Sequence, residues 1–376
     1  MGSLRIGGSQ RVLIELLRGL DRNLFDAHLA LMEDEGEFRE RVPQDVPVYP
    51  LGVRRARLAA LPVTSLCWRL RPHAILSFSA QLNAAVIAAR LFLPRNTTIF
   101  AREGANVTLP TVASTTRRCI YRAIYPHADL VICQSDDMVE RLSTCFHIPK
   151  SKLVRIYNSV DADRLRALAQ GPSPYGNVGP NLVAVSRFVP VKGIDLLINA
   201  MQDVLRVHPH AILTLVGGGP QESYLRDLAR VVKIAGAIRF VGFQTNPYPF
   251  IYNADVLVIP SRSEAFSNVA LEALALGTPV VATDCPGGMR EIARYTGHLT
   301  LATGIEPSQL ANAITWTLAD GLDHDPRHQA DEEFLREFSP ERVIALYQKT
   351  ISLAAGAGGV GKLSSLRALA REESTR

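Results

Sequence analysis

Four charged residues in the second half of the chain have the types and spacing to do chemistry. Glu264 and Glu272 stand with seven residues between them in SEAFSNVALEALALGTPVVATD (263–284), a stretch otherwise rich in small and apolar side chains. An ionised carboxylate only accepts hydrogen bonds, so each suits the paired hydroxyls of a ribose or a hexose. The plainer reading makes them a helix-start acid and a solvated-face acid, since acids are frequent in first turns. Arg187 and Lys192, five residues apart in NLVAVSRFVPVKGIDLL, supply the opposite charge. A guanidinium fork and a mobile ammonium at the top of a strand can hold a diphosphate between them. Singly, either is a loop cation facing water; beside an acid-flanked helix start in the same sheet, the set describes a sugar-nucleotide site.

The local elements position these groups. DVLVIPS reads as a strand, Ser267 or Asn268 as the cap of a helix through NVALEALAL, and Gly277 with Pro279 as its stop. Glu264 then lies on the loop ahead of the helix and Glu272 about one turn inside it. Backbone N–H groups around Ala265, Phe266, Ser267 and Asn268 would carry the partial positive charge that attracts a phosphate. VGGGP (216–220) follows the strand AILTLVG and either lets a ligand approach the backbone or simply ends the strand. Gly7 and Gly8 open the first helix of the other half and are expected to face the same ligand. FAREGAN ends a strand at Arg102 and Glu103, which touch the acceptor or the sugar, or else form a solvated surface pair. His73, His127 and His147 have no spacing that suggests metal ligation.

From Asn181 onward short β-rich runs (NLVAVSR, AILTLVG, IRFVG, DVLVIPS, PVVAT) alternate with helical patterns, as in GIDLLINAMQDVL, whose apolar residues recur at Leu196, Leu197, Ala200, Met201, Val204 and Leu205. That alternation predicts a parallel sheet flanked by helices. The first half repeats it with DAHLALM, AILSFS, TTIFARE, DLVICQS and LVRIYN, separated by stretches such as QRVLIELLRGL and QLNAAVIAARLF. The expected fold is α/β: two Rossmann-like, doubly wound parallel-sheet domains, 1–167 and 181–337, joined by the Gly-, Pro- and Ser-rich linker 168–180 and facing a cleft. A helix over 338–354 would follow, then a flexible tail over 355–376. Few residues precede the Gly7–Gly8 turn, too few for the strand that normally feeds such a turn, so a truncated or misassigned start is expected. In the tail, Gly356–Lys362 fits G-x-x-x-x-G-K, but Leu363 stands where a hydroxyl would hold magnesium and no strand precedes it, so it is read as tail.

Bulk properties agree with two domains: 376 residues, 47% hydrophobic and 20% charged. A net charge of +5 is weak evidence for nucleic acid, which is not expected as a partner. Five scattered cysteines without a C-x-x-C pair predict neither disulfides nor zinc and fit a reducing cytosol. AAVIAARLFLP is interrupted by Arg90 and too short to span a bilayer, and no signal peptide is expected. RRARLAALPVTSLCWRLR (54–71) and TTRRCIYRAIY (115–125) fit either an amphipathic face on anionic lipid headgroups or ordinary helices with an Arg-rich solvent side.

Taken in order, GGSQRVLIELLRGL, DLVICQS, VRIYNSVD, VSRFVPVKGIDLLINA, LTLVGGGP and SRSEAFSNVALEALALGTPVVATD resemble the glycosyltransferase family 4 type of retaining enzyme with the GT-B architecture, over nearly the whole chain except the last twenty or so residues. The resemblance implies that Glu264 faces the donor hexose, Glu272 binds the nucleoside ribose, and Arg187 and Lys192 neutralise the diphosphate leaving group. It also implies that the VGFQTN loop (241–246), with Gly242 and Phe243, lies against the base, and that Gly7 and Gly8 approach the phosphates from the other domain. Two departures are visible: Ala265 stands where many members have Gly, and Glu103 stands where some use a first-domain histidine.

The implied reaction moves a hexose or N-acetylhexosamine with retention, from a nucleotide-diphosphate sugar (UDP- more than GDP-) to a lipid-linked or polysaccharide acceptor. It would need neither cofactor nor metal, would contribute to polysaccharide or lipopolysaccharide biosynthesis, and would take place in the cytoplasm, peripheral to the inner membrane face. Domain closure would complete the site, with the C-terminal helix crossing back onto the first domain. A sugar-nucleotide epimerase or hydrolase of the same architecture, and a non-catalytic binding protein that kept the fold, are the competing readings.

Overall fold

β-Branched and leucine-rich runs bounded by Gly, Pro and Asp become the strands of this chain, and every one of the ten runs named above contains one. The computed structural model describes residues 1–5, 7–104, 119, 121–176, 179–320 and 330–356, apart from the side chains of 320 and 356. Outside the described residues lie 105–106 of FAREGAN, 115–118 and 120 of the second basic segment, 177–178 of the expected linker, and all but Gly356 of the Gly356–Lys362 string.

The chain divides into two compact units. The first comprises Met1–Asn158 with the Pro340–Gly356 helix. In it β1 (Leu29–Leu31) and β2 (Val48–Pro50) form a two-stranded parallel ladder. A second, four-stranded parallel sheet runs β3 (Ala74–Phe78), β4 (Thr98–Arg102), β5 (Leu130–Cys133), β6 (Leu153–Arg155). The residues ahead of the glycine turn, expected to be too few for a strand, hydrogen-bond along the 30–35 run: Met32 N to Met1 O at 3.0 Å, Glu33 N to Gly2 O at 3.0 Å, Leu4 N to Glu35 O at 2.8 Å. Leu4 is thereby fully buried, in a core that also holds Leu13, Leu31, Phe100 and Ile132. Val343, Tyr347 and Ala354 of the Pro340–Gly356 helix enter the same core, which ties this segment to the first unit.

The second unit, Ser159–Ser339, holds six parallel strands: β7 (Asn181–Val185), β8 (Ile212–Val216), β9 (Ile238–Gly242), β10 (Val256–Ile259), β11 (Val280–Ala282) and β12 (Leu299–Leu301). Their spatial order, β12-β11-β10-β7-β8-β9, is the doubly wound arrangement in which the first and fourth strands lie side by side. Ile194, Leu197, Ile198, Met201 and Val204, one face of the Ile194–Val207 helix, close the core over Leu182, Leu213 and Val256.

The domain division differs from the expectation. It falls after Asn158 rather than within 168–180, because the Ala162–Ala169 helix packs on the Tyr248–Tyr252 and Asn268–Ala275 helices, and Tyr175 donates to the Phe250 carbonyl at 2.7 Å. Gly, Pro and Ser content marked an irregular segment; side-chain docking decides which unit it joins. Among the described residues no helix is long and apolar enough to cross a membrane.

Candidate active site

Parallel sheets bind ligands beyond the carboxyl ends of their strands, at the point where the strand order reverses. In the second unit that point lies between β7 and β10, and a pocket opens there. The ends of the two strands supply Ser186 and Ser261; the segments that follow them supply Lys192, Glu264 and Ser267.

Lys192 ends the single 3₁₀ turn Pro190–Lys192. Its Nζ lies 2.5 Å from Glu264 Oε2, and Ser261 Oγ donates to the same oxygen at 3.0 Å. The pair is largely shielded, with Lys192 27% and Glu264 11% exposed in their side chains. Residues read from sequence in separate roles, one for phosphate and one for sugar, form a single ion pair.

The Glu264 backbone is fixed from the other side. Its N–H donates to Pro286 O at 3.1 Å, and its carbonyl accepts from Gly288 N at 3.1 Å. Gly287, at φ 131°, pairs with it as a parallel bridge; a Cβ there would sit 1.7 Å from the Glu264 carbonyl oxygen, so only glycine fits. Arg262 braces the loop further. Its N–H donates to Val191 O (2.8 Å), its Nη1 to Pro190 O (2.7 Å), and its fork grips Asp195 at 2.8 and 2.7 Å. Burial alone would raise the Asp195 carboxyl, but the Arg262 bonds outweigh it and hold its pKa below the ordinary value. Lys192 and Glu264 are thus carried on two loops that Arg262 and Asp195 stitch together.

Ser267 caps the Asn268–Ala275 helix, its hydroxyl accepting from Ala270 N at 3.3 Å. Ala265 and Phe266 turn inward, both 4% exposed, with the Phe266 ring 5.8 Å from that of Phe338. Cys285 lies under the same loop, and burial followed by the nearby Glu264 carboxylate pushes its thiol up to about 11, leaving it inert at neutral pH. The Ser186 hydroxyl is buried at the pocket with no hydrogen-bond partner among the described residues.

The remaining sequence candidates lie elsewhere. Arg187 is exposed, next to Ser186, and does not line the pocket. Glu272 is 6% exposed inside its helix, which removes the solvated-face reading. Gly242 ends β9 and Phe243 follows it, two strands or about 10 Å across the sheet from β7; the Phe243 ring is exposed. Gly7 and Gly8 open the Gly8–Gly19 helix of the first unit, Gly7 being its extended N-cap. The VGGGP loop serves packing: Gly217, at φ 138°, would place a Cβ 1.9 Å from the Ser186 carbonyl oxygen.

Arg102 and Glu103 are not a solvated surface pair; each is 1% exposed. Arg102 donates from Nε to Tyr347 OH at 2.9 Å and from Nη2 to Asn158 Oδ1 at 2.6 Å. Glu103 accepts from Tyr125 OH at 2.5 Å and from Gly104 N at 3.1 Å, and its carbonyl accepts from Gln134 Nε2 at 2.6 Å. Burial first, then the Glu103 charge, drive the Tyr125 pKa well above its ordinary value. Strand-end charges are usually hydrated; here Asn158, Gln134, Tyr125 and Tyr347 replace the water.

Sequence reasoning missed Ser186, Ser261, Gly287, Asp195 and Arg262. The two serines were accessible to it, since each follows a predicted strand at the end where ligands bind. The Asp195–Arg262 pair joins residues 67 apart and carries no local signal.

Comparison with known proteins covers both halves. A family model described as Glycosyltransferase Family 4 matches residues 6–164, and one described as Glycosyl transferases group 1 matches residues 179–320. An uncharacterised glycosyltransferase of Methanocaldococcus jannaschii is 29% identical over 177 residues, 46% of this chain and 44% of that protein. The chain therefore spans less than half the length of that relative. The N-acetylgalactosamine-N,N'-diacetylbacillosaminyl-diphospho-undecaprenol 4-alpha-N-acetylgalactosaminyltransferase of Campylobacter jejuni is 27% identical over 310 residues, 77% of this chain and 81% of its own. Among solved structures, Anabaena HepE in complex with UDP superposes with a TM-score of 0.77 at 21% identity, covering 94% of this chain and all of that one.

Proposed function

We propose, on the premise that this chain belongs to the family 4 glycosyltransferases and has their GT-B fold, that it transfers a hexose or N-acetylhexosamine, with retention, from a nucleotide-diphosphate sugar to a lipid-linked or polysaccharide acceptor. The observation that carries this reading is the Lys192–Glu264 pair at the strand-order switch of the second sheet. The UDP in the Anabaena neighbour and the lipid-linked substrate in the Campylobacter relative's name support a UDP-sugar donor and a polyprenyl-type acceptor.

Donor binding exchanges partners at this pair. A diphosphate entering the pocket takes Glu264's place on Lys192, and the buried Ser186 hydroxyl gains the acceptor it lacks. Glu264, still held by Ser261, turns its free lone pairs to the sugar hydroxyls. Arg187, exposed one residue beyond Ser186, swings toward the pocket to add a second cation at the diphosphate, and Glu272 takes the ribose. As the bond from the anomeric carbon to the phosphate oxygen breaks, positive charge spreads over the ring and negative charge collects on the leaving group. Lys192, carried on the segment that Arg262 braces, and the capped helix start stabilise that charge more than they stabilise the bound donor. The acceptor oxygen bonds to the anomeric carbon on the face the phosphate leaves, and its proton passes to the departing phosphate oxygen.

The test is calorimetric binding of UDP- and GDP-sugars, UDP and uridine, followed by transfer assays with the bound donor. We expect UDP to bind more tightly than uridine, with Lys192→Ala narrowing the gap by about tenfold or more. Equal affinity of the native protein for UDP and uridine would remove the phosphate role.

A further inference from the structure

We propose that the outer face of the Pro307–Asp320 helix, in the second unit, is a binding site for a neutral oligosaccharide. It shares no residue with the pocket between β7 and β10, and it does not depend on the transfer reading.

The helix is amphipathic without being charged. Leu310, Ile314 and Leu318, four apart, enter the core of the second unit. Ser308, Asn312 and Trp316, also four apart, make a row on the opposite side, and all three are exposed. At 1.5 Å per residue the row is about 12 Å long, enough to meet consecutive sugar rings. From 307 to 319 the chain has no Asp, Glu, Lys, Arg or His. Other surface helices of this unit are built differently: Glu222–Val231 carries the ion pairs Glu222–Arg226 and Asp227–Arg230, and Ile194–Val207 carries Asp203–Arg206.

A single exposed apolar side chain is ordinary. A ring in line with an amide and a hydroxyl, on a face without charge, matches one ligand chemistry. Trp316 is 59% exposed. The C–H groups on the face of a pyranose lie against the electron-rich face of an indole, while its hydroxyls exchange hydrogen bonds with the Asn312 amide and the Ser308 hydroxyl, each of which both donates and accepts. Beside the row, Thr317 donates to Thr300 of the edge strand β12 at 3.1 Å, which continues the uncharged hydroxyl surface onto the sheet.

Other occupants fit this face less well. An anionic lipid or a nucleic acid would find no cation on it, in a unit that has nineteen Asp and Glu against fourteen Lys and Arg. A second copy, or another protein, needs about 800 Å² per partner around an apolar centre. The row supplies only Trp316, with Ile305 ahead of the helix.

The chain has two tryptophans, so a Trp68→Phe background reports on Trp316 alone. In that background the emission is titrated with maltohexaose, cellohexaose and chitohexaose, without a sugar donor, and affinities are checked by calorimetry. We expect a saturable change with at least one of the three at about millimolar concentration, unaltered by saturating UDP. By calorimetry, Trp316→Ala should lower that affinity by about tenfold or more and Asn312→Ala by about threefold, whereas Trp316→Phe should keep most of it. Both positions are exposed, so the melting temperature should hold. The proposal is overturned if none of the three sugars binds, if binding survives Trp316→Ala, or if UDP displaces the sugar, which would place it in the donor pocket. It is equally overturned if a heparin hexasaccharide or phosphatidylcholine vesicles change the Trp316 emission as strongly, or if Trp316→Ala disperses a self-associated form without lowering sugar affinity. Failure of UDP itself to bind would count against the transfer reading alone.

Discussion

Lys192 Nζ and Glu264 Oε2 lie 2.5 Å apart although the residues are separated by 72 positions in the chain. Contact between them requires β7 and β10 to be neighbours, which the doubly wound order provides. The two halves of the pair should fail differently. Glu264→Gln keeps the shape of the side chain but loses the charge, and transfer should fall about a hundredfold with UDP affinity near native. Lys192→Ala should weaken UDP binding by about ten- to a hundredfold, the loss expected of a charge-assisted contact. Calorimetry alongside steady-state transfer separates the two; identical effects of both variants on UDP affinity would contradict the division of roles.

Ser261 stands behind that carboxylate. It is 1% exposed, and its hydroxyl donates to Glu264 Oε2 at 3.0 Å. Ser261→Ala should lower kcat by about tenfold with the donor KM nearly unchanged, since one orienting bond to a charged group is worth about 1.5–3 kcal/mol and only part of it acts in the transition state. A rise in donor KM at constant kcat would show a binding role instead.

The Asp195–Arg262 fork predicts a pH signature. Its folded pKa is depressed, so its contribution to stability is fully present above the unfolded value of about 3.9 and is lost as pH falls through the lower folded value. The stability gap between native protein and Asp195→Asn, measured by urea unfolding at a series of pH values, should be constant from neutrality to about pH 5 and shrink below about pH 4. A gap that widens on acidification would contradict the assignment.

Gly287 supports Glu264 through backbone alone. At φ 131°, with a Cβ predicted to fall 1.7 Å from the Glu264 carbonyl oxygen, Gly287→Ala must displace the loop. Unfolding free energy should drop by about 2 kcal/mol or more, and transfer with it. Native stability in that variant would mean that the loop relaxes freely.

Much of this site was legible in the letters. Strand runs ending in Arg187 and Pro260-Ser261, a serine cap and a glycine stop place Lys192 and Glu264 at one end of one sheet, because periodicity and capping are local and local rules read locally. That the two side chains would neutralise each other was not legible, since it depends on loops meeting across 72 positions. The reading of Arg102 and Glu103 as a solvated surface pair failed for the same reason. A charge at a strand end is normally hydrated, and only the distant Asn158 and Tyr347 make burial of Arg102 tolerable. The 168–180 segment misled in the opposite sense: its composition was that of a linker, but one aromatic anchor, Tyr175 on Phe250, holds it to the second unit.

The buried Arg102 gives the last prediction. Its guanidinium lies 5.2 Å from the Phe78 ring, with Nε bonded to Tyr347 OH and Nη2 to Asn158 Oδ1. Tyr347→Phe removes the acceptor of one charged N–H in a place water does not reach, so the cost is the desolvation of that donor as well as the bond, about 1.5–3 kcal/mol. The same tyrosine sits on the Pro340–Gly356 helix, whose Val343 and Ala354 share the first unit's core. Unfolding of Tyr347→Phe should therefore begin at lower denaturant, with amide exchange in that helix accelerated more than in the Ile194–Val207 helix of the second unit. Phe338→Leu, which disturbs the Phe266 and Phe334 ring contacts in the second unit, should show the reverse pattern. If Tyr347→Phe leaves both the midpoint and the helix protection unchanged, the Arg102–Tyr347 bond does not hold that helix in place.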